Sequence, residues 1–199
     1  MKKISIILLS VIITNTLFSQ KNNFSELGLE QSIFDVFVNY ANETKETVFN
    51  IKRSDVVDKA CFHHNRFLGN IPNEPDKFLI CHHESKKIGK YDYVGSDTIL
   101  KHYFDRLSFY DTKKEYIPLS EILFLGTNPN NYSFENPNTT NNIIAKHILK
   151  SFLDSKEHKE IIHMFNYDYI GIDVMFHKNF YTVVIMFADD NIIGNNIIK

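Results

Sequence analysis

The chain has 199 residues and a net charge of −2, with 43% of its residues hydrophobic and 23% charged. These values are ordinary for a globular chain and lack the strongly basic footprint of a nucleic-acid binder, so no nucleic-acid partner is expected. Seventeen phenylalanines and ten tyrosines, with no tryptophan, point to an aromatic-rich core.

The N-terminus reads as a secretory signal. Lys2 and Lys3 form a positive n-region, Ile4 to Ile13 a short apolar stretch, and Thr14 to Ser19 a polar-to-small exit with cleavage near Ser19 or Gln20. The apolar run falls short of the roughly 20 residues that span a bilayer. An uncleaved anchor is the alternative. With no cysteine at the cleavage point, a lipid anchor is not indicated. Residues 1–20 are thus expected to direct export, secreted or periplasmic, and residues 21–199 to form one domain with a real core and no membrane span.

In the mature chain, Ile33, Phe34, Phe37, Val38 and Ala41 recur at helical spacing, which predicts a helix over 30–44. Ser54 is a good N-cap for a second helix, with Asp55 in its first turn and Gly69 as its stop. Its apolar face carries Val56, Val57, Ala60, Cys61, Phe67 and Leu68, with His64 on that face and His63 pointing away. After Pro72 and Pro75 comes the run Phe78 to Ser85, apolar until it reaches His82, His83 and Glu84. Ser96 is expected to cap a third helix carrying Leu100, Tyr103, Phe104 and Leu107. Leu119 to Leu125 reads as a short buried strand closed by Gly126, and Asn128 to Asn142 as a polar surface loop. Thr140 or Asn141 starts a fourth helix with Ile144, Ile148, Leu149 and Phe152 inward. A short amphipathic helix follows, bearing His158 and ending at His163. Tyr169–Phe176 and Phe180–Phe187 then form a hairpin turning at His177–Asn179. Helices first and antiparallel strands last argue for an α+β fold, with helices covering a small antiparallel sheet.

Cys61 and Cys81 could pair in an oxidising compartment, closing a loop that would stabilise the fold by about 3 kcal/mol; two free thiols are the alternative. Nine histidines are present. His64 reads as a hydrogen-bonded core residue, His63, His102, His147 and His177 as solvent-facing or turn residues, and His163 as a helix cap. Three groups stand out: the pair His82/His83, Glu121 and His158. Glu121 interrupts an otherwise apolar strand, so it faces solvent at an edge or is buried with a partner. Two imidazoles and a carboxylate meeting in a cleft would suit a divalent cation, or a metal-free acid–base cluster. There is no HExxH helix, serine nucleophile elbow or phosphate-cradling glycine loop, and the cysteine spacing does not fit a zinc finger.

Several segments resemble the CAP superfamily, shared by cysteine-rich secretory proteins, antigen 5 and plant pathogenesis-related 1 proteins, and especially its bacterial branch of SCP-like domains. They are Ala60 with His64, the loop ending in His83, Arg106 to Tyr110, the strand with Glu121, Ser155-Lys156-Glu157-His158 and Gly171-Ile172-Asp173-Val174. The resemblance implies an α–β–α sandwich over a core of about 31–188. It also implies a polar ligand cleft made by His83 (or His82), Glu121 and His158. His83 and His158 are the candidate ligands of an optional divalent metal, zinc in the first place, and no cofactor is required. Ser120 and Ile122 replace the family's glycine and asparagine around the glutamate. Lys156 and Glu157 replace the proline and glycine before the later histidine, and no second glutamate stands out. The expected function is an exported module binding a small ligand, lipid or partner protein. A metal-dependent hydrolase with Glu121 as base, or a purely structural module, are the alternatives.

Overall fold

The computed structural model describes residues 25–44, 50–71, 80–88, 91–127, 137–164, 167–177 and 179–191. The expected leader over 1–20 and most of the loop after Gly126 lie outside the described residues. Five helices are described: α1 (Glu26–Thr44), α2 (Asp55–Gly69), α3 (Tyr103–Tyr110), α4 (Pro137–Asp154) and α5 (Lys156–His163). The strands are β1 (Lys52–Arg53), β2 (Lys87–Ile88), β3 (Tyr91–Asp92), β4 (Tyr116–Thr127), β5 (Tyr169–Phe176) and β6 (Phe180–Asp190). The main sheet has the order β1-β5-β6-β4; β2 and β3 form a separate two-residue ladder.

The alternation of β6 builds the layers. Tyr181, Val183, Ile185 and Phe187 face one core with α1, α4 and α5, whereas Val184, Met186 and Ala188 face a second core with α2 and Leu107 of α3. A period of two can fill both faces only if each is covered, so the fold is an α–β–α sandwich of the α+β class. Gly171 in β5 sets the depth of α2. A Cβ there would lie 2.5 Å from the backbone carbonyl carbon of Val57, so only glycine lets the helix seat this closely.

The sheet is mixed rather than purely antiparallel, because β1 pairs in parallel with the start of β5. Two residues are too few to show a period. Beyond them, carboxylates replace the missing strand. Ile172 N–H donates to Asp58 at 2.8 Å, Val174 N–H to Glu30 at 3.2 Å and Phe176 N–H to Glu26 at 2.7 Å. Arg53 ties Glu30 and Asp58 together at 3.3 and 2.9 Å. Alternate amides of an open edge are thereby closed to other chains.

The boundaries of α2 and the hairpin match the sequence reading, with the Ser54 hydroxyl accepting from Val57 N–H. Four elements start elsewhere. Helix α1 begins at Glu26 rather than 30, and α4 at Pro137, inside the stretch read as a loop, rather than at Thr140 or Asn141. Helix α3 begins at Tyr103 after His102, not at Ser96. The stretch before it stays extended because its backbone bonds to the site described below. Strand β4 extends back through Pro118, which is tolerated because β4 is an edge strand with a register shift between Pro118 and Ser120.

Candidate functional site

Glu121 lies opposite Met186 in the ladder and shares its face with Leu123, so its side chain enters the layer between the sheet and α2/α3. It is 4% exposed. Arg106 of α3, fully buried, donates through Nη2 to Glu121 Oε2 at 2.5 Å and through Nη1 to the Leu100 carbonyl at 3.2 Å. Arg106 Nη1 also lies 3.5 Å from Glu84 Oε1. Among the described residues its Nε has no hydrogen-bond partner.

Glu84, passed over in the sequence, is the second hub. Its Oε1 accepts from His64 Nδ1 at 3.1 Å, and its Oε2 from Leu100 N–H at 2.8 Å, with His63 Nε2 3.4 Å away. Burial would raise its pKa, but the bonds from His63, His64 and Leu100 outweigh it and hold the carboxyl down at about 2. Glu121 is likewise held below the usual range. Burial opposes ionisation there, and the His64 charge, the His82 bond and Arg106 override it.

His64 is 0% exposed, as its place on the apolar face of α2 suggested. Its Nε2 meets the Cys81 carbonyl at 2.8 Å and its Nδ1 meets Glu84. Both partners are acceptors, so with Glu84 ionised both ring nitrogens are placed to donate. The two carboxylates are thus met inside the protein by Arg106 and the His64 ring. His63 corrects the expectation of a solvent-facing ring. It is buried, its Nε2–H donates to the Thr98 carbonyl at 2.8 Å, and its Nδ1 is hydrogen-bonded with the Tyr110 hydroxyl at 3.0 Å. Desolvation pushes its pKa down, but Glu84 reverses the sign and the net shift is upward.

Of the singled-out histidines, His82 is the one that reaches Glu121: its Nδ1 lies 3.3 Å from Oε1, and its side chain is 49% exposed at the mouth of the cluster. His158 sits on α5 with its ring edge against Phe152, centroids 5.2 Å apart. Burial and then the neighbouring His82 charge lower its pKa. His83 turns out of the cluster to an exposed position against His102, with centroids 4.7 Å apart. Cys61 and Cys81 are free thiols rather than a bridge; Cys61 is buried on the inner face of α2, and Cys81 Sγ–H donates to the His83 carbonyl at 3.3 Å. Glu84 was invisible to spacing because it follows the histidine doublet in an irregular loop. A clue was the carboxylate demanded by His64 on an apolar helix face.

The resemblance implies an optional divalent metal at this cleft, and the donor set at Glu121 does not fit one. Arg106 holds Oε2, His82 and His64 crowd Oε1, and Glu84 is saturated. Among the described residues no three His, Cys, Asp or Glu side chains are grouped to hold an ion.

No protein-family model matches the chain, and no curated protein matches it. Comparison with solved structures finds an outer surface protein from Borrelia burgdorferi, 16% identical with a TM-score of 0.49, covering 81% of this chain and 95% of that one. It also finds an extracellular protein containing an SCP domain from Bacillus anthracis, 14% identical with a TM-score of 0.44. That match covers 81% of this chain but spans only 41% of the other. Among the described residues no helix is long and apolar enough to cross a membrane. The chemistry of the site rests on this chain's own side chains.

Proposed function

We propose that this chain is an exported, CAP-like binding module that contacts its ligand through the imidazoles of His82 and His158, and that Glu121 is a structural anchor rather than a catalytic base. The carrying observation is the engagement of Glu121: Oε2 is bonded to the buried Arg106 and Oε1 to His82. A general base needs a free lone pair within reach of the substrate proton and a pKa near the operating pH. Glu121 offers neither, because its oxygens are buried behind Arg106 and His82, out of a substrate's reach, and the carboxyl is held below the usual range. Two histidines at the edge of a rigid ionic frame suit recognition of a small polar or amphipathic molecule, with Phe152 supplying an apolar wall beside His158.

The test combines Glu121→Gln with His158→Ala. Removing one member of a buried ion pair costs about 3–5 kcal/mol, so Glu121→Gln is expected to melt far below wild type. His158→Ala, which removes a half-buried ring packed on Phe152, is expected to change stability by less than about 1 kcal/mol. Ester or peptide turnover by the wild-type protein that disappears in a folded Glu121→Gln variant would overturn the reading. So would a Glu121→Gln variant as stable as wild type.

A further inference from the structure

His83 and His102 are brought together by the backbone. Glu84 N–H donates to the Lys101 carbonyl at 3.0 Å, so the residues flanking this bond, His83 and His102, stand side by side across two chain segments. Their rings meet edge to face, with centroids 4.7 Å apart and planes at 82°. Each is held from behind. His102 N–H donates to the Asp105 carboxylate at 3.0 Å, and the His102 ring lies flat on Phe104 at 4.8 Å. The His83 carbonyl accepts from Cys81 Sγ–H, and the next residue, Glu84, is the buried hub. His83 is exposed and His102 half-buried, so solvent reaches both.

We propose that His83 and His102 form a two-imidazole site for a divalent transition metal, copper(II) foremost, with water completing its coordination. A pair of imidazoles carried on anchored backbone matches the nitrogen-rich tetragonal preference of copper(II), which also heads the affinity order for such donors. Zinc is commonly held by three or four protein ligands, and two are present here. The nearby charges of Lys101 and Arg106 oppose a cation and place the expected affinity in the micromolar range. A bound ion would staple the loop carrying His82 to the start of α3. The site shares no donor with Glu121 and stands apart from the binding proposed for His82 and His158.

Copper(II) is titrated into the purified chain and followed by tyrosine fluorescence and by electron paramagnetic resonance. The expected result is one equivalent bound with two imidazole nitrogens in the spectrum. Binding is expected to weaken by at least about tenfold, or 1.4 kcal/mol, in His83→Ala and in His102→Asn, the latter keeping a good N-cap residue. His158→Ala is expected to bind as wild type. Circular dichroism checks that each variant is folded; should His102→Asn fail to fold, His83→Ala, at an exposed side chain, carries the test. No binding by wild type, binding unchanged in a folded variant of either His83 or His102, or binding lost in His158→Ala would each overturn the proposal.

Discussion

Glu84→Gln isolates the charge of the buried hub, because it keeps the side-chain size and removes only the ionisation. Glu84 is 1% exposed, so solvent screening discounts little of its electrostatic energy. Its pKa falls from the ordinary 4.5 to about 2 in the folded protein. At about 1.4 kcal/mol per pH unit, this corresponds to about 3 kcal/mol of stability. Because the folded pKa is depressed, that stability is fully present above the unfolded value of 4.5 and is lost as pH falls toward 2. The assay is urea unfolding of wild type and Glu84→Gln in steps from neutral pH into acid. The variant is expected to be less stable by about 3 kcal/mol at neutral pH. The gap should close through the window between pH 4.5 and about 2. A gap that stays constant down that range would mean that shape rather than charge is lost. No gap at neutral pH would remove the buried ionic cluster as an account of the site.

Gly171→Ala pushes a methyl group against the Val57 backbone and is expected to cost about 1–3 kcal/mol in thermal or urea unfolding; wild-type stability would show that α2 can shift freely. Asp173→Asn tests the opposite electrostatic case. Burial, then the charges of Glu30, Glu26 and Asp58, push the Asp173 carboxyl up to about 7 against the bond from Asn65. A raised acid pKa favours the folded state at low pH and costs stability as pH rises through about 7. The variant is therefore expected to gain up to about 4 kcal/mol over wild type above neutrality, with the gain vanishing near pH 4; no gain in alkaline unfolding curves would refute it.

The layered fold was legible wherever one residue pattern determined one contact. Val183 to Phe187 alternate between two cores, and the sequence could show an apolar strand there. Ser54 and Gly69 bracket α2 because capping is local chemistry. Glu121 announced itself as a carboxylate in an apolar run. Its partners were less legible, since Arg106 and Glu84 meet it only once α3 and the irregular loop pack on α2. The segment before α3 carries helical spacing, yet its backbone is engaged at Thr98 O, Leu100 N, Leu100 O and Lys101 O by the site. Tertiary bonds overrode local propensity there. The doublet His82/His83 could be ordered only in three dimensions, because adjacent residues of an extended loop point apart and one of them had to face Glu121.

The fold uses its buried acids in two opposed ways, and that opposition shapes its pH response. Glu84 and Glu121 sit among cations and are held ionised, so their contribution is lost in acid. Glu30, Asp58 and Asp173 cluster where β5 lacks a strand neighbour, with Arg53 paired to the first two, and all three are raised chiefly by burial. Their contribution declines as pH rises. The first group steepens the stability profile below about 4.5 and Asp173 the profile up to about 7. These carboxyls together therefore favour a mildly acidic optimum. Glu84→Gln should flatten the acid limb alone and Asp173→Asn the neutral limb alone. Since the two residues share no hydrogen-bond partner, the double variant should show the two changes added, within about 0.5 kcal/mol. Strong coupling between them would mean that α2, which carries both His64 and Asn65, transmits strain from one cluster to the other.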